Sequence, residues 1–527
     1  MGAMDLVLTG GTVRSGHDGW RPHAGLSIRR GRVAALGAPV RRCGRVLDLQ
    51  GGCALPGLAD AHLHLLGHAL VQDRIDLRAA PSLGAVLEAV RRRAAEQPEG
   101  WILGRGWDEE RWPERRPPLR EDLDAAAPGR AVVLSRVCGH VVAASSRALE
   151  HAGVGPATAD PAGGLIDRDA SGRPTGIVRE AAVDLVLAAA PAPPPARLRG
   201  ALSRALRECL ACGLTQVQTD DVASARGLDA ALRLYRSAGG PDGVPVRVTL
   251  MIPAGCVEEA AERGIATGWG DRWLRAGHAK LFADGSLGAR TAALREPYAD
   301  DPATSGVLVH DLGELTELVA RAHRRGFQVG IHAIGDAAAH LALAAVARAQ
   351  RTAPRADARP RLIHCQVTGR DTFAALRRAG AVADIQPVFV RSDALWVERR
   401  IGPERASTSY AWRTIVAAGI PACGGSDCPI EPLDPLLGLA AAVTRRPAGG
   451  GPPWRPEERL SVAQALDLVT RGAAYATYEE AWRGSLAPGY AGDVTVLDRD
   501  PFRVDPDELE TLRVLATVVG GRVAYEA

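Results

Sequence analysis

Lysine is all but missing from this chain. Lys280 is the single one in 527 residues, and every other member of the 64 basic side chains is arginine. Biased codon usage accounts for a general replacement of lysine by arginine, but not for the one position that escaped it. A surplus of either charge is missing too: 64 basic against 61 acidic residues leave a formal net charge of +3. That balance gives no footing for nucleic acid or an anionic membrane as partner. No uncharged apolar run reaches the roughly 18 residues of a membrane-spanning helix. Residues 1–11 carry neither the basic start nor the apolar stretch of a secretory signal, so a cytoplasmic protein is expected. Cysteines are scattered and odd in number, nine in all, and cannot all pair. Cys209 and Cys212 form a lone C-x-x-C without the second pair or the histidines of a metal site, and buried reduced thiols are the simpler reading.

What is present is ordered. Short alternating or apolar runs at 5–13, 25–37 and 45–49 are punctuated by Gly-Gly and Arg-Gly-Arg turns, and similar runs return at 492–498, 514–519 and 522–525. Strands at both ends predict one small β-sandwich domain assembled from residues 1–55 and 483–527. Between them, β-branched runs at 58–65, 214–219, 244–252, 276–283, 328–333, 361–366, 381–388 and 420–426 alternate with amphipathic helical stretches. Such alternation predicts a (β/α)8 TIM barrel over 56–482. An open doubly wound sheet is the competing α/β arrangement, but no Gly-rich phosphate loop follows the first run. The gap between the first two runs is too long for one helix. It reads as a subdomain inserted at about 73–200 and ending in a Pro-rich hinge. Its Trp101, Trp107 and Trp112 would line a substrate pocket or form the insertion's own core.

The chemistry-bearing residues sit where such barrels place active sites, at the C-terminal ends of strands. His62 and His64 are two apart, so in a strand both imidazoles point to one face and can meet one metal. Alone, the pair would equally describe two polar residues on a solvated face. His332, His364 and Asp427 end or follow three further runs, each after apolar or small residues. Lys280 lies near the end of the fourth. A buried lysine can lose its proton, which arginine cannot. The neutral amine can take up carbon dioxide as a carbamate, an anionic two-oxygen bridge between metals. A lysine kept for an ion pair is the alternative, though arginine serves there as well. Nitrogen and oxygen ligands without thiolate suit one or two divalent ions, zinc above all, with manganese or iron as alternatives. Such ions would activate a water, and Asp427 would take its proton and pass it to a leaving nitrogen.

These residues stand in longer motifs. Leu55-Pro56-Gly57 leads to His62 and His64, and Gly104–Asp108 ends in Trp107-Asp108. His140 precedes Ser145-Ser146, and Gly172–Gly176 leads to Glu180. Lys280–Thr291 contains Asp284 and Arg290, His332 is followed by Asp336, and Ser426-Asp427 follows Gly425. As a set they resemble the amidohydrolase superfamily, in particular amidohydrolase family 3, with its YtcJ-like proteins and N-substituted formamide deformylases. The resemblance runs from about residue 5 to 523. It implies a metal-dependent barrel that hydrolyses a C–N bond of a small molecule, with His62, His64, Lys280, His332, His364 and Asp427 as metal ligands. His140 is expected to contact substrate or an oxyanion, or to be structural. Trp107, Asp108, Asp284 and Arg290 are expected at the substrate, and Asp336 as a partner of His332 or a helix cap. Where many relatives carry Asn, this chain has Ser145, and Gln218 stands where some have His. Both departures bear on specificity rather than on the metal. Ring opening of a cyclic amide, another reaction of the same metal-activated water, or a non-catalytic regulatory role are the alternatives. A homodimer is the default assembly.

Overall fold

Parallel strands buried on both faces need helices outside them and a packed layer of side chains inside. The eight runs meet that demand. In the computed structural model, which describes residues 4–37, 43–109, 112–136, 141–161, 164–180, 182–191 and 193–527, they form one eight-stranded parallel sheet. The strands are β1 (Leu58–Leu63), β2 (Leu214–Thr219), β3 (Arg247–Pro253), β4 (Leu274–Phe282), β5 (Val329–Ala333), β6 (Arg361–His364), β7 (Val382–Ile385) and β8 (Ala422–Gly424). Each pairs with its neighbour in sequence. Between last and first, the Asp427 N–H donates to the His62 carbonyl (2.7 Å). Just below, the Asp60 carboxylate accepts the His62 N–H (3.0 Å), the Ser426 N–H (3.1 Å) and the Ser426 hydroxyl (2.5 Å). The seam of the TIM barrel is thus stitched beside the residues of interest.

Several strands are shorter than the apolar runs. The run of β6 turns early because His364 (φ 77°) and Cys365 (φ 49°) take left-handed backbone conformations, and Asp427 (φ 56°) does so beyond β8. Such φ values are uncommon outside glycine and concentrate at functional sites.

Inside the barrel, alternate strands contribute layers. The even layer here is polar: Gln218 of β2, His278 of β4, Arg361 of β6 and Cys423 of β8 are all buried. Arg361 holds it together. Its Nη1 donates to Gln218 Oε1 (2.6 Å) and approaches His278 Nδ1 (3.3 Å), and its Nη2 donates to the Ala61 carbonyl (2.7 Å) and to Asp384 Oδ2 of β7 (2.6 Å). Gly330 makes the room, since a Cβ on it would stand 2.2 Å from the His278 ring.

The termini build two further sheets. One orders Arg32–Leu36, Leu26–Arg29, Met4–Thr9 and Cys43–Asp48. The other orders Arg522–Glu526, Val514–Val519, Val494–Leu497, Cys53–Pro56, Thr12–Arg14 and Pro22–His23. Leu6, Leu8, Ile28 and Leu47 of the first share one core with Val494, Val496, Ala516 and Val518 of the second.

The chain divides into two compact units, Met1–Gly67 with Leu202–Ala527, and His68–Ala201. The second has its own six-stranded mixed sheet and apolar core. Trp107 and Trp112 belong to that core, 1% and 2% exposed, and their indole N–H groups donate to the Leu134 and Ala80 carbonyls. Trp107, expected at a substrate, is therefore a core residue: its ring is closed off from solvent. No helix among the described residues is long and apolar enough to cross a membrane.

Candidate metal centre

The alternation of β1 turns Asp60 and His62 inward together, and His64 follows as the strand ends. Register does the same for the other side of the barrel: Phe282 pairs with His332, and Ala333 with His364, so the strand ends lie at one level. The ligand atoms of His62, His64 and Asp427 lie within 4.8 Å of one another, the one such cluster of three among the described residues. Asp427 Oδ1 is 3.3 Å from His64 Nε2 and 3.5 Å from His62 Nε2, is buried, and completes no hydrogen bond. Lys280 Nζ stands 3.1 Å from His62 Nε2. On its far side, His364 Nε2 faces His332 Nδ1 at 2.9 Å. The His62 and His364 rings are 5.5 Å apart, which joins the two halves. The structure brings all six expected ligands together.

Hydrogen bonds on the outer nitrogens decide which lone pairs point inward. His64 Nδ1 donates to the Asp220 carbonyl (3.1 Å), His364 Nδ1 to Gln386 Oε1 (2.8 Å) and His332 Nε2 to the Gly285 carbonyl (3.0 Å). An imidazole whose outer nitrogen carries the proton presents a lone pair with the other. His364 Nε2 and His332 Nδ1 therefore face each other as two acceptors, an arrangement that calls for a cation between or beside them. Outer hydrogen bonds of this kind are how metal-binding histidines are held. The donor set fits divalent metal.

The electrostatics agree. Burial, with Lys280 and His364 nearby, drives the His62 pKa well below its ordinary value, and burial does the same to His332. Burial lowers His364 to about 4. Burial would also lower His64, but the Asp427 carboxylate outweighs it and pushes His64 up to about 9, so that pair draws positive charge to itself. Burial acts to raise Asp427, yet His64, His364 and Lys280 hold it below the usual carboxylate range. Lys280, 2% exposed, is lowered by burial against the opposing pull of Asp220, Asp427 and Asp384.

A model of the amidohydrolase family matches residues 45–525. The chain belongs to the amidohydrolase family. YtcJ of Bacillus subtilis (strain 168) is 38% identical over 91% of this chain and 90% of its own. The N-substituted formamide deformylase of Arthrobacter pascens is 29% identical over 95% and 94%. An uncharacterized metal-dependent hydrolase from Pyrococcus furiosus has a solved structure that matches with a TM-score of 0.78 and 30% identity, over 94% of this chain and 100% of that one. This amidohydrolase is accordingly a metal-dependent hydrolase acting on carbon–nitrogen bonds.

The remaining expected residues fall differently. His140 lies outside the described residues, as does the Glu180 side chain. Asp108 pairs with Arg136 at 3.0 Å within the second unit. Asp284 of the amidohydrolase lies with Oδ1 3.5 Å from His332 Nε2 and is otherwise engaged with the backbone. It is 2% exposed, burial pushes its pKa up to about 6, and its carboxylate accepts the Ala293, Ile334 and Gly335 N–H groups (2.8–3.0 Å). It ties the loop after β4 to the end of β5, and so sets the Gly285 carbonyl that holds His332. Arg290 is taken up by Asp300 through two bonds of 2.9 and 3.1 Å. Asp336 is the first residue of the helix after β5, whose N-cap is Gly335, and its carboxylate accepts the Arg295 N–H (3.0 Å). Gln218 belongs to the Arg361 layer. Gln386, Asp60 and Arg361 were not singled out from sequence. For Asp60 a signal existed, since it lies two residues before His62 in β1 and so shares its face.

Proposed function

We propose that this amidohydrolase cleaves an amide- or formamide-like C–N bond of a small cytoplasmic molecule. In this reading His62, His64, His332, His364 and Asp427 would hold divalent metal, zinc by donor chemistry, and Lys280 as its carbamate would add an anionic oxygen ligand. The observation that carries the reading is the pair of facing acceptors, His332 Nδ1 and His364 Nε2, beside a buried lysine with a lowered pKa. The name of the formamide deformylase relative supports the bond type. Divalent ions bound there would lower the pKa of a water and polarise the scissile carbonyl. Asp427, kept ionised by its neighbours, takes a proton at Oδ1 from the attacking water and returns it to the leaving nitrogen. Gln386, Gly285 and Asp220 keep three imidazoles in the tautomers that binding requires.

The test is elemental analysis of protein purified without chelators, followed by a panel of N-formyl amines, N-acyl amino acids and cyclic imides. About one or two equivalents per chain with turnover of a formyl or acyl amine supports the reading, and Lys280→Ala then loses metal and activity together. Full activity in Lys280→Ala refutes the carbamate ligand. Absence of metal with no uptake refutes the centre itself.

A further inference from the structure

Large apolar side chains exposed singly are ordinary on a protein surface, whereas a cluster of them calls for an explanation. Among the described residues, the exposed large hydrophobics are not scattered. Phe282, Val307, Leu308, Val309, Leu395 and Ile430 all lie at or beyond the C-terminal ends of β4, β7 and β8, the end that carries the metal ligands, against Val46, Leu165 and Leu185 elsewhere. Phe282 is the link to the centre. Its ring centroid is 5.0 Å from Lys280 Nζ and 5.2 Å from the His332 ring, yet the residue is 44% exposed. The Val309 N–H donates to the Ala283 carbonyl (2.9 Å) and the Val307 N–H to the Thr291 carbonyl (3.1 Å), which lays the 307–309 segment beside the end of β4. Across the barrel, the Ile430 N–H donates to the Asp427 carbonyl (2.9 Å), so this 62% exposed side chain sits one turn from the proposed proton carrier.

Among the described residues, Arg290, Arg400 and Arg405 on the same loops have partners there. Arg290 and Arg400 share Asp300 at 2.9 and 3.2 Å, and Arg405 donates to the Glu296 and Pro297 carbonyls. They are committed to holding the loop, and no carboxylate or phosphate on a substrate is needed to balance them.

The geometry points to a substrate whose non-reacting part is an uncharged, apolar substituent, packed against Phe282, Val309 and Ile430 while its C–N bond lies at the metal ligands. The inference rests on the hydrolase reading above and adds the class of substituent. Phe282 is then the specificity-determining residue, because its ring lies against the side chains of both Lys280 and His332. That contact is what favours a substrate over a second copy of the chain as the occupant, since a seam between copies has no need of a ring against Lys280.

Binding rather than turnover tests it. The metal-loaded protein is titrated calorimetrically with straight-chain hydroxamates from acetohydroxamate to octanohydroxamate, whose head group chelates metal whatever the natural substrate. The dissociation constant is expected to fall on the order of threefold per added methylene. Phe282→Ala should weaken octanohydroxamate about tenfold more than it weakens acetohydroxamate, with Phe282→Leu between. Metal content of each variant reports whether the centre is intact. Affinity independent of chain length, or an unchanged slope in a fully loaded Phe282→Ala, overturns the inference and leaves the metal centre standing. Failure of every hydroxamate to bind a metal-loaded chain overturns both. If Val309→Asp splits a dimer while the chain-length slope persists, the apolar strip belongs to a second copy and the inference falls.

Discussion

Replacing Arg361 by Met is the sharpest test of how the centre is supported. The guanidinium and the Asp384 carboxylate are both wholly buried, 0% exposed, and 2.6 Å apart. Burial pushes the Asp384 pKa up, and Arg361 is the main force against it. Removing one member of such a pair strands the other charge, at a cost of about 3–5 kcal/mol. The Ala61 carbonyl and Gln218 Oε1 lose donors as well, but these groups form one network and their contributions do not add. A net loss of about 3–5 kcal/mol is therefore expected. The assay is the urea midpoint by tryptophan fluorescence at fixed metal, for Arg361→Met, Asp384→Leu and the double variant. Each single change should be destabilising and the double one should recover most of the loss, because an apolar pair of similar volume has no charge to bury. The sign with pH is also set. In Arg361→Met the folded-state pKa of Asp384 lies further above its unfolded value. Stability relative to the parent is then recovered at low pH and lost as pH rises above the ordinary carboxylate pKa of Asp384. The Ala61 carbonyl adjoins His62, and Gln386 Nε2 reaches Asp384 Oδ1 at 3.5 Å, so metal content should fall too. An Arg361→Met protein with the parent's midpoint and full metal refutes the reasoning. A double variant no better than the singles refutes the stranded-charge account.

Gly330→Ala drives a methyl into the His278 ring and should cost about 1–3 kcal/mol in midpoint. The further change His278→Ala should return part of it, and no rescue would show that the crowding lies elsewhere. Gln386→Leu leaves His364 Nδ1 without its acceptor, so retention of metal against a competing chelator should fall about 10- to 100-fold. Gln386→Glu, which keeps an acceptor, should fall less, and equal losses would discount the tautomer role. Asp393 is buried with Tyr410 and Gln366, and burial pushes its pKa up to about 7 from 3.8. Its contribution is present at low pH and lost as pH rises through about 7. Asp393→Asn should therefore gain on the parent across that window, by up to about 4 kcal/mol, whereas parallel pH profiles would contradict it.

The barrel and the six residues that gather at its mouth were legible because their signals are local. Each ligand residue ends a run of apolar or small side chains, and the H-x-H of β1 needs only the strand's period of two. Lys280 stood out by composition alone. The supporting residues were not legible, since their meaning lies across the barrel. Nothing near Arg361 in sequence says that its guanidinium meets Ala61 of β1, Gln218 of β2 and Asp384 of β7. Trp107 misled because a tryptophan in a motif looks the same whether it lines a pocket or fills a core; only the fold of the second unit decides. Asp284 and Arg290 lie in a motif beside Lys280, and their work proved to be shaping the loop. The end of β6 was overrun because the left-handed turn at His364 and Cys365 carries no glycine to announce it.

The stitched seam between β1 and β8 also sets an order of events. Asp60 and Ser426 are 366 residues apart in the chain, and the trio of His62, His64 and Asp427 straddles that junction. Contacts of such separation carry the largest closure entropy and form late. A nascent chain that has made β1 through β7 holds both histidines of the trio but lacks its carboxylate. The trio is complete only once β1 and β8 have met, so metal uptake during refolding is expected to follow closure of the barrel rather than precede it.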